Sequence, residues 1–244
     1  MKMDSNAILI TGGATGIGLA LAERFIHAGN KVIICGRRAD KLEEAKAKNP
    51  QLHIYQSDIS KEADRIELYN QITQDHPDVN ILFNNAGIMR YLDLAAVESW
   101  KDSEVEIATN LEAPIHLALL FTQHFARKEN TAILNVTSGL AHVPLAATPL
   151  YCATKAAIHS FTLSLRKQLA KHDIQVIEIC PPLTNTDLGV PGTNTAGIPV
   201  DEFADEVIKG LAQGVQEIAY GWSKLTSQAS RSERDEIFEK LNVG

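Results

Sequence analysis

Cysteine is scarce in this sequence, and the residues that most often bind metals are dispersed. The 244 residues include three cysteines, Cys35, Cys152 and Cys180, and eight histidines. No pair of them shows the spacing of a metal-ligand set or of a disulfide framework. Cys35 and Cys180 lie in apolar runs, as buried thiols do. We therefore expect no disulfide and no metal ion.

Long basic runs and long apolar runs are also missing. The formal net charge is −7, so nucleic acid and anionic membrane surfaces are not expected as partners. No apolar stretch approaches the ~20 residues that span a membrane. Residues 1–6 lack the apolar core of a signal peptide. The sequence therefore predicts a cytoplasmic protein that does not interact with membranes.

Short apolar runs alternate with longer segments of helical periodicity along the chain. The runs are rich in Val, Ile, Leu and Phe, which is typical of strands buried on both faces. Seven predicted strands cover residues 7–10, 31–35, 52–55, 80–83, 132–136, 175–180 and 217–220. Five predicted helices cover residues 16–28, 39–48, 63–74, 97–127 and 149–171. This alternation predicts an α/β fold of the doubly wound Rossmann type: a mostly parallel sheet of about seven strands with helices on both faces.

No linker, repeat or low-complexity segment interrupts this order, so a single domain over residues 1–244 is expected. Within it, roughly residues 1–130 form the predicted cofactor half and residues 131–244 the predicted catalytic half. The segment 187–199 is rich in Gly, Pro, Thr and Asn and is predicted to be a small lid over a binding site. Residues 223–241 are predicted to form a polar loop followed by a short helix.

A glycine-rich turn follows the first predicted strand. Residues 11–18 read Thr-Gly-Gly-Ala-Thr-Gly-Ile-Gly and lead straight into the first predicted helix. Glycine allows a tight turn and a close approach of the backbone to a pyrophosphate, which the helix N-terminus then attracts. The strand–turn–helix context favours a dinucleotide site over a merely tight turn.

The end of the second predicted strand indicates which dinucleotide binds. An acidic residue there would bind a ribose 2′-hydroxyl, but this chain has Arg37 and Arg38. Arginine can bind a 2′-phosphate through two hydrogen bonds, so NADP(H) is the preferred cofactor and NAD(H) stays open. Arg37 is the stronger candidate of the two, because Arg38 can equally be a solvated residue that begins the next helix.

Three residues in the second half can carry proton transfer. Tyr151 and Lys155 stand four apart on a predicted helix and so share a face, while Ser138 follows the predicted strand 132–136. Tyrosine titrates near pH ~10, and a neighbouring ammonium lowers its pKa toward the range that acid–base catalysis needs. Ser138 would polarise a substrate carbonyl through a hydrogen bond. Each residue alone is more often an ordinary turn or surface residue, but with the glycine-rich turn the set predicts hydride transfer between a nicotinamide and a carbonyl or alcohol.

Asn110 lies inside the predicted helix 97–127, four residues before Pro114. Proline cannot donate a hydrogen bond to the carbonyl of Asn110, and its ring pushes that carbonyl aside. Either the freed carbonyl binds a water that relays protons to Lys155, or the pair simply marks a kink.

Together these motifs resemble those of the short-chain dehydrogenase/reductase family over nearly the whole chain. The turn matches the family's Thr-Gly-x-x-x-Gly-x-Gly, and residues 84–87 match the Asn-Asn-Ala-Gly that follows its fourth strand. The resemblance implies a catalytic set of four residues: Asn110, Ser138, Tyr151 and Lys155. The predicted cofactor-binding residues, from the motifs and the resemblance together, are Gly12, Ala14, Thr15, Gly16, Ile17, Gly18, Arg37, Arg38, Asp58, Ile59, Asn85, Ala86, Gly87, Tyr151, Lys155, Pro181, Thr184 and Thr186.

Two positions depart from the family pattern. Pro182 replaces a glycine in the segment beside the nicotinamide, which removes a backbone N–H and restricts φ. Thr15 stands where some NADP-dependent members carry a basic residue, so recognition of a 2′-phosphate depends on Arg37 and Arg38. Residues 135–155 are also similar to an oxidoreductase encoded beside genes for the D-alanylation of teichoic acids, a similarity that does not fix a substrate.

The family resemblance also implies a homodimer or homotetramer, often built on the long helices 97–127 and 149–171. Three segments flank the catalytic set and are expected to select a small-molecule carbonyl or alcohol substrate: residues 88–92, 140–148 and 187–199. His142 is a candidate lining residue. Arg90 either meets an acidic substrate or lies on the surface, as arginines ordinarily do.

Two other functions compete with hydride transfer. A sensor would bind NADP(H) without turnover, but it needs no proton donor, and the Ser138–Tyr151–Lys155 set is intact. A nucleotide-sugar epimerase or dehydratase uses the same three residues but usually needs a larger C-terminal domain than this chain provides.

Overall fold

A seven-stranded parallel sheet forms the centre of the computed structural model, which describes residues 1–96 and 99–243. The strand order is β3-β2-β1-β4-β5-β6-β7, and every pairing between these strands is parallel. The strands are β1 (Ala7–Thr11), β2 (Lys31–Gly36), β3 (His53–Gln56), β4 (Ile81–Asn84), β5 (Ala132–Val136), β6 (Gln175–Cys180) and β7 (Glu217–Ala219). Each agrees with its predicted bounds to within one residue. The predicted α/β, doubly wound fold is confirmed.

Helices cover both faces of this sheet, so the core has two halves. The helices are α1 (Gly16–His27), α2 (Ala39–Lys48), α3 (Glu62–Asp75), α4 (Lys101–Ile107), α5 (Ala113–Phe125), α6 (Pro149–Leu169), α7 (Val200–Ala212), α8 (Trp222–Gln228) and α9 (Arg231–Leu241). Side chains alternate along a strand, so Ile8 and Ile10 pack in one cluster with α1, α2 and α7. Leu9 packs in the other cluster with α3, α5 and α6. Burial on both faces explains why the central strands β1, β2 and β4 are mostly apolar.

The predicted helix 97–127 is not continuous, which corrects the sequence-based expectation. Its first predicted residue, Val97, lies outside the described residues. Helix α4 runs into a π-helical turn, Ala108–Glu112, and α5 continues from Ala113. Pro114, the second residue of α5, lacks the N–H that a continuous α-helix would need there.

Two helices near the C-terminus were not predicted. Helix α7 has buried apolar residues on one face and is joined to α1 by Arg24, which forms ion pairs with Asp201 and Asp205. Residues 222–228 form α8 where a polar loop was expected. Ser223 and Thr226 on this helix are fully buried, so its inward face is polar rather than apolar.

The topology opens a crevice at the carboxyl ends of β1 and β4. The chain winds outward in both directions from β1, and ligands of open α/β sheets bind where the strand order reverses. The segment 187–199 is irregular, as predicted, and reaches the residues that follow β4. A side chain at Gly189, where φ is +86°, would come within 2.9 Å of the Met89 methyl carbon. No described helix combines the length and apolar character needed to cross a membrane.

Candidate active site

The glycine-rich turn after β1 is fixed to the loop after β4. The Thr11 hydroxyl oxygen accepts hydrogen bonds from the backbone N–H groups of Asn85 and Ala86, each at 3.1 Å. The Asn85 side-chain amide donates to the carbonyls of Thr11 at 2.9 Å and Gly12 at 3.1 Å. Asn85, predicted to bind cofactor, therefore holds the turn in shape.

Two glycines of this turn are packed too closely against their neighbours to carry a side chain. Gly12 has φ of +65°, and a Cβ there would lie 2.9 Å from the Ala86 Cα. A Cβ at Gly18 would lie 2.5 Å from the Asn85 amide nitrogen. Helix α1 begins at this turn, and its N-cap residue Thr15 makes no side-chain cap bond. The first-turn N–H groups are thus left for another acceptor, which fits a phosphate-bearing ligand.

Residues from distant parts of the chain converge on this turn. The Thr186 methyl carbon lies 3.3 Å from the Cβ position of Gly16. A Cβ at Gly87 would lie 3.6 Å from both the Asn110 Oδ1 and the Lys155 Nζ atoms. The predicted cofactor turn, the loop after β4 and the predicted catalytic residues therefore share one cleft.

The remaining predicted cofactor residues lie around the same edge. The Asp58 carboxylate accepts hydrogen bonds from the N–H and hydroxyl of Ser60, and Ile59 is buried. The Pro181 carbonyl accepts hydrogen bonds from the Gly139 N–H and the Ser223 hydroxyl. Further supporting positions are Ala14 and Ile17, which pack partly buried on the core, and Thr184, whose hydroxyl donates to the Pro182 carbonyl.

Arg37 and Arg38, which follow β2, are both exposed, but they make different contacts. The Arg38 Nη2 atom donates to the Thr15 hydroxyl oxygen at 3.3 Å, so this guanidinium reaches the glycine-rich turn. The backbone carbonyl of Arg37 accepts a hydrogen bond from Gln56. Arg38, ranked second from the sequence, is the one whose side chain contacts the turn.

Ser138, Tyr151 and Lys155 are all buried at the end of β5 and on α6. The Lys155 Nζ atom donates to the Val136 carbonyl at 2.7 Å and lies 5.6 Å from the centre of the Tyr151 ring. The Ser138 hydroxyl oxygen accepts a hydrogen bond from the Leu140 N–H, which orients it at the start of a short 3₁₀ turn. The structure thus brings the three predicted residues together.

The protonation of Tyr151 differs from the sequence-based expectation. Burial raises the pKa of Tyr151 well above its ordinary value, and the Ser138 hydroxyl only partly offsets this. Burial also lowers the pKa of Lys155, to about 8. At neutral pH the phenol therefore carries its proton, which is the form a proton donor needs.

Asn110 lies within the π-helical turn, and both the oxygen and the nitrogen of its side-chain amide are hydrogen-bonded to the Ile88 backbone. Its Oδ1 atom accepts from the Ile88 N–H at 2.8 Å, and its Nδ2 atom donates to the Ile88 carbonyl at 2.7 Å. Asn110 therefore couples the loop after β4 to α6, where Thr154 lies 3.3 Å from the same Nδ2 atom. Isolated π turns often occur at functional sites.

One buried carboxylate near Tyr151 was missed by sequence reasoning. Glu106 on α4 is 1% exposed, and its Oε2 atom lies 3.7 Å from the Arg90 guanidinium, which also lies 3.7 Å from Asp102. Burial raises the pKa of Glu106, and its charge contributes to the raised pKa of Tyr151. The spacing of Glu106 four residues before Asn110 was the available signal, since positions four apart share a helix face.

Comparisons with known proteins show which family the chain resembles. A family model for the short chain dehydrogenases matches residues 6–196. The uncharacterized oxidoreductase DltE of Bacillus subtilis (strain 168) is 43% identical over 250 residues, which cover 100% of this chain and 99% of DltE. The NADP-dependent 3-hydroxy acid dehydrogenase YdfG of Escherichia coli (strain K12) is 32% identical over 177 residues, 72% of this chain and 71% of YdfG.

The fold also has solved counterparts. A short chain dehydrogenase from Burkholderia cenocepacia J2315, solved in complex with NADP, matches with a TM-score of 0.85 at 24% identity and covers 100% of both chains. This likeness concerns the fold alone.

A parallel sheet with a glycine-rich turn where the strand order reverses is the architecture of a dinucleotide-binding α/β protein. The chain belongs to the short-chain dehydrogenase family and is an oxidoreductase. The similarity to an oxidoreductase of the teichoic-acid D-alanylation locus, predicted from residues 135–155, is confirmed by DltE.

Proposed function

We propose that the protein is an NADP(H)-dependent oxidoreductase that transfers hydride between the nicotinamide and a carbonyl or alcohol substrate, with Tyr151 as the general acid and base. The observation that carries this proposal is that buried Tyr151 and Lys155 share one cleft with the glycine-rich turn. A protein that only sensed NADP(H) would have no use for a buried proton donor beside the cofactor site.

Each catalytic side chain has a distinct part in this proposal. Ser138 donates a hydrogen bond to the substrate carbonyl oxygen and polarises the C=O bond. When bound, NADPH supplies the hydride for the carbonyl carbon. Tyr151 transfers its phenolic proton to the oxygen of the forming alcohol. The reverse, oxidation, needs the tyrosinate, which the raised pKa of Tyr151 makes scarce at neutral pH.

Lys155 and Asn110 prepare these groups. The pKa of about 8 leaves most of Lys155 protonated at pH 7, so its ammonium can stabilise the tyrosinate left after proton transfer. The family resemblance assigns to Lys155 a second contact, with the nicotinamide ribose. Asn110 fixes the Ile88 backbone at the floor of the cleft.

The substrate is proposed to be a small carbonyl compound or alcohol without a carboxylate near Arg90. That guanidinium already lies beside two carboxylates, Asp102 and Glu106, so an acidic substrate would have to displace one of them. Because YdfG is named for 3-hydroxy acids, such acids are the discriminating comparison.

The test is turnover across a substrate panel. The protein is incubated with NADPH or NADH and with neutral ketones, aldehydes, 3-keto acids and, in the oxidative direction, 3-hydroxy acids. Reduced-cofactor absorbance is expected to fall with a neutral ketone or aldehyde. Tight NADPH binding with no turnover on any member would instead support the sensor function.

Preference for NADPH is proposed to depend on Arg38 together with Arg37. Arg38→Ala is expected to lower kcat/KM for NADPH by about 10–100-fold, because a hydrogen bond to a charged group contributes roughly 1.5–3 kcal/mol. The value for NADH should change little, and Arg37→Asp should shift the preference further toward NADH. Exposed Arg127, on the loop after α5, gives the matched control Arg127→Ala. Equal losses with both cofactors would contradict a 2′-phosphate contact.

The π-helical turn gives a second prediction. Pro114→Ala restores the N–H that a regular α-helix needs and is expected to shift Asn110 away from Ile88. We expect kcat to fall by about tenfold, with little change in the dissociation constant for NADPH. Single-turnover rates and NADPH fluorescence titration separate the two quantities. Unchanged turnover would show that the turn has no part in catalysis.

We also propose a cytoplasmic homodimer or homotetramer that uses α5 and α6 as its interface. Leu119 on α5 and Leu163 on α6 are 54% and 44% exposed, which is costly for large apolar side chains in water. Light scattering coupled to size exclusion gives the assembly directly, and a monomeric mass would overturn the proposal.

A further inference from the structure

Three potential metal ligands from three separate elements meet behind the catalytic residues. His142 follows the 3₁₀ turn Gly139–Ala141, His159 lies on α6 and Glu178 on β6. One donor atom from each lies within 4.8 Å of the other two. The sequence showed no histidine pair with ligand spacing, so only the fold brings these groups together.

His159 and Glu178 are hydrogen-bonded to each other at the centre of the cluster. The His159 Nδ1 atom lies 2.9 Å from each carboxylate oxygen of Glu178. The His142 and His159 rings approach to 4.7 Å between centroids at an angle of 70°. Glu178 is fully buried, and its carboxylate also accepts a hydrogen bond from the Thr137 hydroxyl at 2.7 Å.

One nitrogen of the cluster is left without a partner. The His142 Nε2 atom is buried and makes no hydrogen bond within the part of the chain that the structure describes. Buried polar atoms are ordinarily paired, so this one calls for a ligand. A neutral imidazole nitrogen facing another imidazole and a carboxylate is a common ligand arrangement for divalent transition metals.

We propose that His142, His159 and Glu178 bind a divalent transition-metal ion, with Zn²⁺ as the best fit, and that a water completes the coordination. Two imidazoles and one carboxylate suit zinc, whose ligand atoms lie about 2.0–2.2 Å from the ion. Ligand atoms at that range are separated by about 3–3.5 Å, close to the His159–Glu178 spacing. The third donor atom, on His142, lies within 4.8 Å of the other two, so binding would draw its ring toward them.

The position of this site indicates a stabilising function rather than a chemical one. His159 lies one helical turn beyond Lys155 on the same face of α6. Thr137, the residue before Ser138, donates its hydroxyl hydrogen bond to Glu178. An ion there would clamp β6, α6 and the segment after Ser138 to one another. Further charged groups act on the cluster: Glu217 and Arg166 act on His159, and Arg234 acts on His142.

The experiment measures metal uptake by the full-length protein after treatment with a chelator. Titration calorimetry with ZnCl₂ is expected to give one equivalent bound, with a rise of several degrees in Tm. His142→Asn and His159→Asn should each weaken binding by at least about tenfold, as loss of a ligand does. His53→Asn is the matched control, because His53 lies on β3 outside the cluster. Cobalt(II) in place of zinc should give the visible absorption of a tetrahedral site.

The variants can be judged independently of activity. Far-UV circular dichroism shows whether each folds, and the two histidine variants act as checks on each other. Zinc uptake that is equal in wild type and both cluster variants would assign the ion to surface histidines and overturn the proposal. So would failure of the wild type to retain zinc. Neither result bears on the proposed oxidoreductase activity, which the substrate panel tests separately.

Discussion

Tyr151→Phe is expected to reduce kcat/KM by about 10²–10⁴-fold while leaving NADPH binding intact, because a positioned general acid contributes rate enhancement of that size. The substitution removes one oxygen from a side chain that is 5% exposed and keeps the ring that fills the space. Carbonyl reduction followed by NADPH absorbance gives the rate, and fluorescence titration gives cofactor affinity. The loss should lie in the chemical step, so a single-turnover experiment should show it in full.

Tyr55→Phe is the matched control for the loss of a tyrosine hydroxyl. Tyr55 lies on β3 and donates to Asp75, away from the catalytic cleft, so its variant should keep wild-type turnover. If Tyr151→Phe kept turnover near the wild-type level, the proton would have to come from another group, and the assignment of Tyr151 would fail. Loss of NADPH binding together with turnover would point to structural damage instead.

The sheet was predictable because its physics is local. Strands β1 and β5 are buried along their whole length, so each appears in the sequence as a short apolar run that can be recognised without tertiary information. Helix α8 was not predictable in this way. Its buried face carries Ser223 and Thr226, and their hydrogen bonds to the Pro181 and Gly139 carbonyls exist only in the folded chain.

Some features of the candidate site could likewise be predicted from the sequence, and others could not. Ser138, Tyr151 and Lys155 stand at spacings that a helix and a strand end bring together, so their proximity could be predicted from the sequence. Arg38 and Thr15, which are in contact, lie on two different loops. Glu106 on α4 raises the pKa of Tyr151 on α6, so this effect also depends on how the helices pack. The direction of the Tyr151 pKa shift depends on burial, which spacing does not reveal. The protonation states therefore required the structure, whereas the proximity of the three residues did not.

Lys155→Met is expected to lower kcat/KM by about 10²–10³-fold and to raise the free energy of unfolding of the cofactor-free protein. The activity falls because the tyrosinate loses its neighbouring ammonium. The stability rises because Lys155 is 4% exposed and its ammonium is buried with one described hydrogen bond, to the Val136 carbonyl. Methionine fills a similar volume without a charge. Lys167→Met, at an exposed position on the same helix, is the matched control and should change neither quantity.

The pH dependence of this stability difference isolates its cause. The pKa of Lys155 is lowered by burial from 10.5 to about 8, so the folded state loses its proton before the unfolded state does. Below pH 8 both states are charged and the full cost of burial is present, roughly 3 kcal/mol from the pKa difference. Between pH 8 and 10 the unfolded chain binds more protons than the folded one, so the wild type gains stability as pH rises. Urea unfolding at pH 7 and at pH 9.5 should therefore show a large advantage of Lys155→Met that narrows at the higher pH. A gap that stays constant would mean that Lys155 is not buried as an ammonium.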